Sequence, residues 1–212
     1  MRRVFDLVTL AVMISIMIVV VTMTYILADY QNRTRLKEVK VIYEEKIKVV
    51  TSQAKKFTDN ISVALIYMDT ARADLKEARL NLERAEFWLE NGDYRRLENS
   101  SSTAKSYFNR SHDTFMKALL YLNYSINSST EEYKDILNLY VNYTKFALNL
   151  THYGETACSH LENASFYFLD GLVSEANQEL NMYNESIVQY TFYDQEMGET
   201  LIRIKDYFEI RE

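Results

Sequence analysis

The chain has 212 residues, a formal net charge of −6, one cysteine, four glycines and no proline. That length suits one domain with a substantial core plus one further segment, and acidic and basic residues are mixed along it, which leaves no basic face for nucleic acid. A lone cysteine, Cys158, excludes an internal disulfide and is read as a small buried hydrophobe, while the scarcity of helix breakers points to an all-α fold with long helices.

From Leu7 to Ala28 the sequence LVTLAVMISIMIVVVTMTYILA carries no charge. Such a run is long enough to cross the hydrocarbon core as one helix, since about 20 residues suffice. A cleaved secretory signal fits less well, because the run exceeds a usual apolar region and lacks a small-x-small cleavage site. Residues 1–29 are therefore expected to form a transmembrane signal anchor. Its orientation carries a conflict: Arg33, Arg35, Lys37 and Lys40 follow the run and only Arg2 and Arg3 precede it. That balance alone would put the rest of the chain in the cytoplasm, although large domains translocate largely regardless of charge.

No glycine or proline occurs between Met1 and Asn91, so the helix has no reason to stop at a membrane surface. A heptad series runs along it through Ile47, Val50, Ala54, Phe57, Ile61, Ala64, Met68, Ala71, Leu75, Ala78, Leu82, Ala85 and Leu89. Alternating steps of three and four residues make an apolar seam that requires partner helices. Asn91-Gly92 supplies a helix terminus and tight turn, and a second helix is expected over about 94–126. The loop NSST, 127–130, precedes a third helix, 130–169, whose seam runs through Tyr133, Ile136, Tyr140, Tyr143, Ala147, Leu150, Gly154, Ala157, Leu161, Ala164 and Phe168. After Asp170-Gly171 a fourth helix, 172–210, carries Val173, Ala176, Leu180, Tyr183, Ile187, Tyr190, Asp194, Met197, Leu201, Ile204 and Phe208. LERAEFWLENG, 82–92, aligns without a gap on LENASFYFLDG, 161–171, as a duplicated helical hairpin would.

By length, residues 61–212 are expected to form an up-down-up-down extracellular four-helix bundle whose first helix covers about 61–91, and residues 30–60 a helical stalk. The stalk stripe Val39, Tyr43, Ile47, Val50 and Phe57 is apolar and is expected to contact a partner, either another membrane or surface protein or a second copy of the chain.

Ten Asn-x-Ser/Thr triplets follow the apolar run, at Asn32, Asn60, Asn99, Asn109, Asn123, Asn127, Asn142, Asn149, Asn163 and Asn184, among fifteen asparagines there. Chance at the local Ser and Thr frequency would give about two. None falls on a seam position, and sugars do not fit in a packed core. The expected partners are therefore membrane lipid, N-linked glycans and neighbouring surface proteins, with residues 30–212 outside the cell. Asn32 is the least accessible sequon because it adjoins the anchor.

Signs of catalysis are few. His152 and Glu155 share a helical face near Cys158 and His160 but fall short of a zinc motif, so no metal or cofactor is expected. Neither a phosphate loop nor a nucleophile elbow occurs, and the chain is not read as an enzyme. Asp194 interrupts the fourth seam beside Tyr183 and Tyr190. These three residues are candidates for a small-ligand pocket, or for an acid hydrogen-bonded to tyrosines that sets helix register. The leading expectation is a structural or interaction protein that acts as a spacer, a coat component or an accessory subunit of a membrane assembly. The alternatives are a ligand-binding domain, similar in outline to the four-helix sensory ectodomains of membrane receptors, and a filament subunit with its apolar helix in the fibre core.

Overall fold

A computed structural model describes the backbone of residues 2–209, and the side chains of that span except those of residues 2–20, 26, 28, 30 and 32. The described chain is helical throughout, in four elements: α1 (Arg2–Glu90), α2 (Tyr94–Ser128), α3 (Glu131–Leu169) and α4 (Val173–Glu209). Among the described residues no helix is long and apolar enough to cross a membrane. The run Leu7–Ala28, on which the anchor was read, falls largely outside the described side chains.

The chain divides into two compact units, Met1–Ser52 and Gln53–Glu212. The boundary falls earlier than residues 60 and 61 because Phe57 and Ile61 already pack against the core of the second unit. Phe57 also meets the Tyr133 ring at 5.6 Å. It therefore belongs to the bundle's own packing and not to an open stripe.

In the second unit the end of α1 and the three later helices form an up-down-up-down bundle. The turn after α1 follows from its residues. Gly92 takes φ 69, a region in which a Cβ is strained. That conformation lets Gly92 N–H reach Leu89 O at 3.1 Å and Asp93 N–H reach Trp88 O at 3.1 Å, the two bonds of a Schellman terminus. Asp93 then caps α2 by accepting from Arg96 N–H. The turn after α3 repeats this 79 residues on: Gly171 has φ 76, with bonds from Gly171 to Phe168 and from Leu172 to Tyr167. Leu172 stands where Asp93 stood, so the second turn has no matching side-chain cap.

The heptad seams read from sequence form the core. Ala64, Met68, Ala71, Leu75, Ala78, Leu82 and Ala85 of α1 are all buried. Leu97, Ala104, Phe108, Phe115, Ala118 and Leu122 of α2 face them, and α3 contributes Tyr143, Ala147, Leu150, Ala157 and Leu161. Small and large residues alternate, which lets neighbouring backbones approach. Ser111 of α2 shows how close they come, since its hydroxyl donates to the Ala71 carbonyl of α1 at 2.8 Å. Six seam positions are exposed: Ile47, Val50 and Ala54 of α1, which precede Phe57 in the chain, and Tyr133, Val173 and Phe208, each in a terminal turn.

Gly154 is the tightest point. A Cβ there would fall 2.5 Å from Cε1 of Phe108, whose ring is fully buried and meets Tyr190 of α4 edge-on at 5.9 Å. Gly154→Ala should lower stability by about 1–3 kcal/mol, because overpacking outweighs the gain in helix propensity. Gly198, an exposed helical glycine with open space around it, is the control. Its change to Ala should add about 0.5–1 kcal/mol. Denaturant unfolding of the two variants decides the matter, and equal stabilisation by both would contradict the packing described.

Candidate functional site

Three groups of residues merit description: a polar cluster between α1 and α4, the sequons, and the apolar face of the first unit. The cluster is built by α1 and α4 running antiparallel. Arg79 of α1 pairs with Asp194 of α4, and Tyr183 donates its phenol proton to Glu86. Asp194 is thus held by a guanidinium and not by a tyrosine. Arg79 stands one residue beyond the seam position Ala78, so a list of seam residues does not contain it. Arg79 Nε is closed off from solvent and has no hydrogen-bond partner. Beside it lies a cavity of about 300 Å³, bordered by Arg79, Glu83, Glu86, Tyr190, Thr191 and Asp194. With three carboxylates against one guanidinium, the lining favours a ligand that carries positive charge.

Tyr190 and Tyr183 both stand in this cluster, as read from sequence. Burial pushes the Tyr190 phenol up to about 12, helped by the Asp194 charge and opposed by Arg79. Burial also raises Tyr183, with the hydrogen bond to Glu86 adding to it. Tyr140 is raised by burial as well. Tyr143 accepts from Arg72 Nε at 2.8 Å. Cys158 is fully buried, and that burial raises its thiol well above 9.0, which makes it an inert packing group.

Seven of the sequons share one geometry. Asn99, Asn109, Asn123, Asn127, Asn142, Asn149, Asn163 and Asn184 are exposed, and Asn60 is half-buried. The side chain of Asn32 lies outside the described residues. Their partners two residues on behave in the opposite way: Ser101, Ser111, Ser125, Thr144, Thr151, Ser165 and Ser186 are all buried. Six of these hydroxyls donate to carbonyls of their own helix three or four residues back, as Ser101 does to Leu97 O at 2.8 Å and Thr144 to Tyr140 O at 2.8 Å. Ser111 reaches across to α1. Sequence reading missed that the hydroxyls form part of the core, although Ser101, Ser111 and Ser125 continue the spacing of Leu97, Ala104, Phe108 and Phe115.

In the first unit Val39, Tyr43, Ile47 and Val50 are exposed, at 47%, 63%, 62% and 63%, and form an uncovered apolar face. The histidines are dispersed. His160 Nδ1 sits 2.7 Å from Glu179 Oε2. His112 Nδ1 lies 3.1 Å from Thr151 Oγ1; that hydroxyl donates to Leu148 O, so the imidazole nitrogen is the donor. His152 is exposed. Among the described residues no three His, Cys, Asp or Glu side chains converge as a metal site. No family model matches the chain, and no curated protein is significantly similar to it.

The raised phenols give the fold an alkaline limit. In the unfolded chain a tyrosine ionises near 10.0, while folded Tyr190 holds its proton to about 12. Above pH 10 the unfolded state therefore binds fewer protons than the native state, and stability falls as pH rises. Unfolding free energy should be insensitive to these phenols below pH 9 and drop between about pH 10 and 12. Tyr190→Phe should flatten that drop. An unchanged slope in the variant would remove Tyr190 as its cause.

Proposed function

We propose that the chain is a single-pass, N-glycosylated cell-surface protein: residues 1–29 anchor it in the membrane, and residues 30–212 stand outside the cell. Its helical bundle acts as a spacer, a coat component or an accessory subunit of a larger membrane assembly. What carries the reading is the pairing of an exposed asparagine with a buried hydroxyl two residues on, seven times over α2, α3 and α4.

Packing accounts for the hydroxyls, because small residues at core positions allow close helix approach and each hydroxyl finds a carbonyl. Packing does not account for the asparagines. The position two before a core residue lies on the opposite side of a helix, and any polar residue satisfies it. Glu, Lys or Gln would hold the helix better there by about 0.3 kcal/mol each. Yet among the described residues seven of the eight buried Ser and Thr follow an asparagine in this way, Thr200 being the exception. A use for the amide itself resolves the discrepancy, and transfer of sugar is that use. The exposed apolar face at Val39, Tyr43, Ile47 and Val50 adds a surface for a neighbouring protein. Mass spectrometry of native material should find sugar on Asn99, Asn109, Asn123, Asn142, Asn149, Asn163 and Asn184, in a membrane-bound chain that retains Met1. Bare asparagines together with a cytosolic C-terminus would end this reading.

One observation favours a second reading, that of a ligand-binding ectodomain. The cavity of about 300 Å³ between α1 and α4, lined by Glu83, Glu86 and Asp194 against the single guanidinium of Arg79, has the size and charge for a small amine or zwitterion. Such a ligand at 100 times its dissociation constant would stabilise the fold by about 2.7 kcal/mol. A panel of amines and amino acids should then raise Tm in the native chain and not in Asp194→Ala. Absence of any shift would return the cluster to a purely structural role.

A further inference from the structure

We infer that sugar is transferred to this chain before the bundle folds, and that folding closes seven of its acceptor sites to the transferase. The inference rests on the glycoprotein reading and adds the order of events. Transfer joins the asparagine amide nitrogen to the anomeric carbon of a lipid-phosphate-linked sugar. The bond from that carbon to the phosphate oxygen breaks, the lipid phosphate leaves, and the amide gives up one proton. Because the acceptor sequence requires a hydroxyl two residues on as well as the amide, the transferase has to engage both groups from one side.

The folded helices make this impossible in two ways. At 3.6 residues per turn, positions i and i+2 point about 200° apart, so amide and hydroxyl face away from each other. The hydroxyls are also buried and bonded. Ser125 donates to Tyr121 O, Thr151 to Leu148 O, Ser165 to Glu162 O and Ser186 to Met182 O, while Ser111 is bonded to the neighbouring helix at Ala71 O. Exposing any of them means opening the core, because those of α2 alternate with Leu97, Phe108 and Phe115 along its seam and those of α3 stand with Leu137, Val141, Leu148 and Cys158 in a buried stripe beside its seam. Folded domains spend about one part in a thousand or less of their time open in this way. Two sequons differ. Ser62 of the Asn60 triplet is exposed but helical, so only its burial differs, whereas Ser129 of the Asn127 triplet is half-buried and leaves the helix as the C-cap of α2, with φ −84 and ψ 157.

The late closure of the bundle leaves time for the transfer. α1 cannot bury its seam until α2 to α4 exist, and the pairs Arg79–Asp194 and Glu86–Tyr183 form only when α4 has been made. Sites in α2 and α3 therefore stay open for the seconds of synthesis that separate them from α4, at about 5–20 residues per second.

The test compares transferase added during cell-free synthesis of the full chain with transferase added after release and folding in detergent. A lipid-phosphate-linked sugar is supplied in both arms, and occupancy is read site by site by mass spectrometry. The first arm should carry sugar at Asn99, Asn109, Asn123, Asn142, Asn149, Asn163 and Asn184. In the second, occupancy at these seven should fall at least tenfold, with Asn127, at the end of α2, retained. Phe108→Ala, which loosens the core without altering a sequon, should restore the seven in the second arm. Equal occupancy of the seven in both arms overturns the order of events and leaves the glycoprotein reading intact. Sugar in neither arm overturns both.

Discussion

Close approach of helix backbones at small residues is the constraint on which the bundle depends. Alanine recurs every seventh residue of α1, at Ala64, Ala71, Ala78 and Ala85, and each is fully buried. A larger side chain there would push α1 away from α2 and break the reach of Ser111 to the Ala71 carbonyl. The same constraint acts at Gly154, where the missing Cβ makes room for the Phe108 ring. Large residues are thus set against small ones, so the interior fills without strain.

The small residues include hydroxyls, and this joins the fold to its surface chemistry. A serine in a helical core is tolerated because its hydroxyl can bond to a carbonyl of the preceding turn. Six such positions, and Ser111, which donates instead to the Ala71 carbonyl of α1, also complete a sequon, with the amide displayed on the outer face. On the glycoprotein reading proposed above, one set of residues serves packing once the chain has folded and acceptor recognition before it has. The two uses cannot operate together on one molecule, because the helix that buries the hydroxyl turns the amide away from it.

How much of this was legible in the sequence follows from how far each interaction lies from a seam. Seam residues and turns were readable because they obey local rules: heptad spacing for Met68, Leu75 and Leu82, and positive φ for Gly92 and Gly171. The partner of Asp194 was not. Arg79 is separated from it by 115 residues, and Arg79 flanks its seam instead of occupying it, so no periodicity singles it out. The role of Ser101 or Thr144 was hidden for a different reason. A polar residue at an apolar spacing reads as an interruption until the carbonyl that satisfies it is seen. Thr144 and Thr151 also show that α3 buries a second stripe beside its seam, together with Leu137, Val141 and Leu148.

The correspondence between the two hairpins exposes a difference between the seams of the bundle. Shifting by the 79 residues that separate Gly92 from Gly171 carries Arg79 onto Cys158 and, in reverse, Asp194 onto Phe115. The ion pair joining α1 to α4 thus stands where the other hairpin places a buried thiol and a buried ring. In the same way Glu86 and Tyr183 correspond to Ser165 and Ala104, both fully buried. The α2–α3 seam carries polar pairs of its own, Lys105–Glu162 and His112–Thr151, while the pairs of the α1–α4 seam stand beside a cavity. Apolar burial has no angular requirement, whereas paired polar groups fix register and depend on keeping their partners. The two hairpins therefore share a turn chemistry, with Gly92 and Gly171 both at positive φ, and differ in what they place at corresponding positions of their seams. Both seams combine apolar burial with polar pairs, and those between α1 and α4 position the last helix beside the cavity.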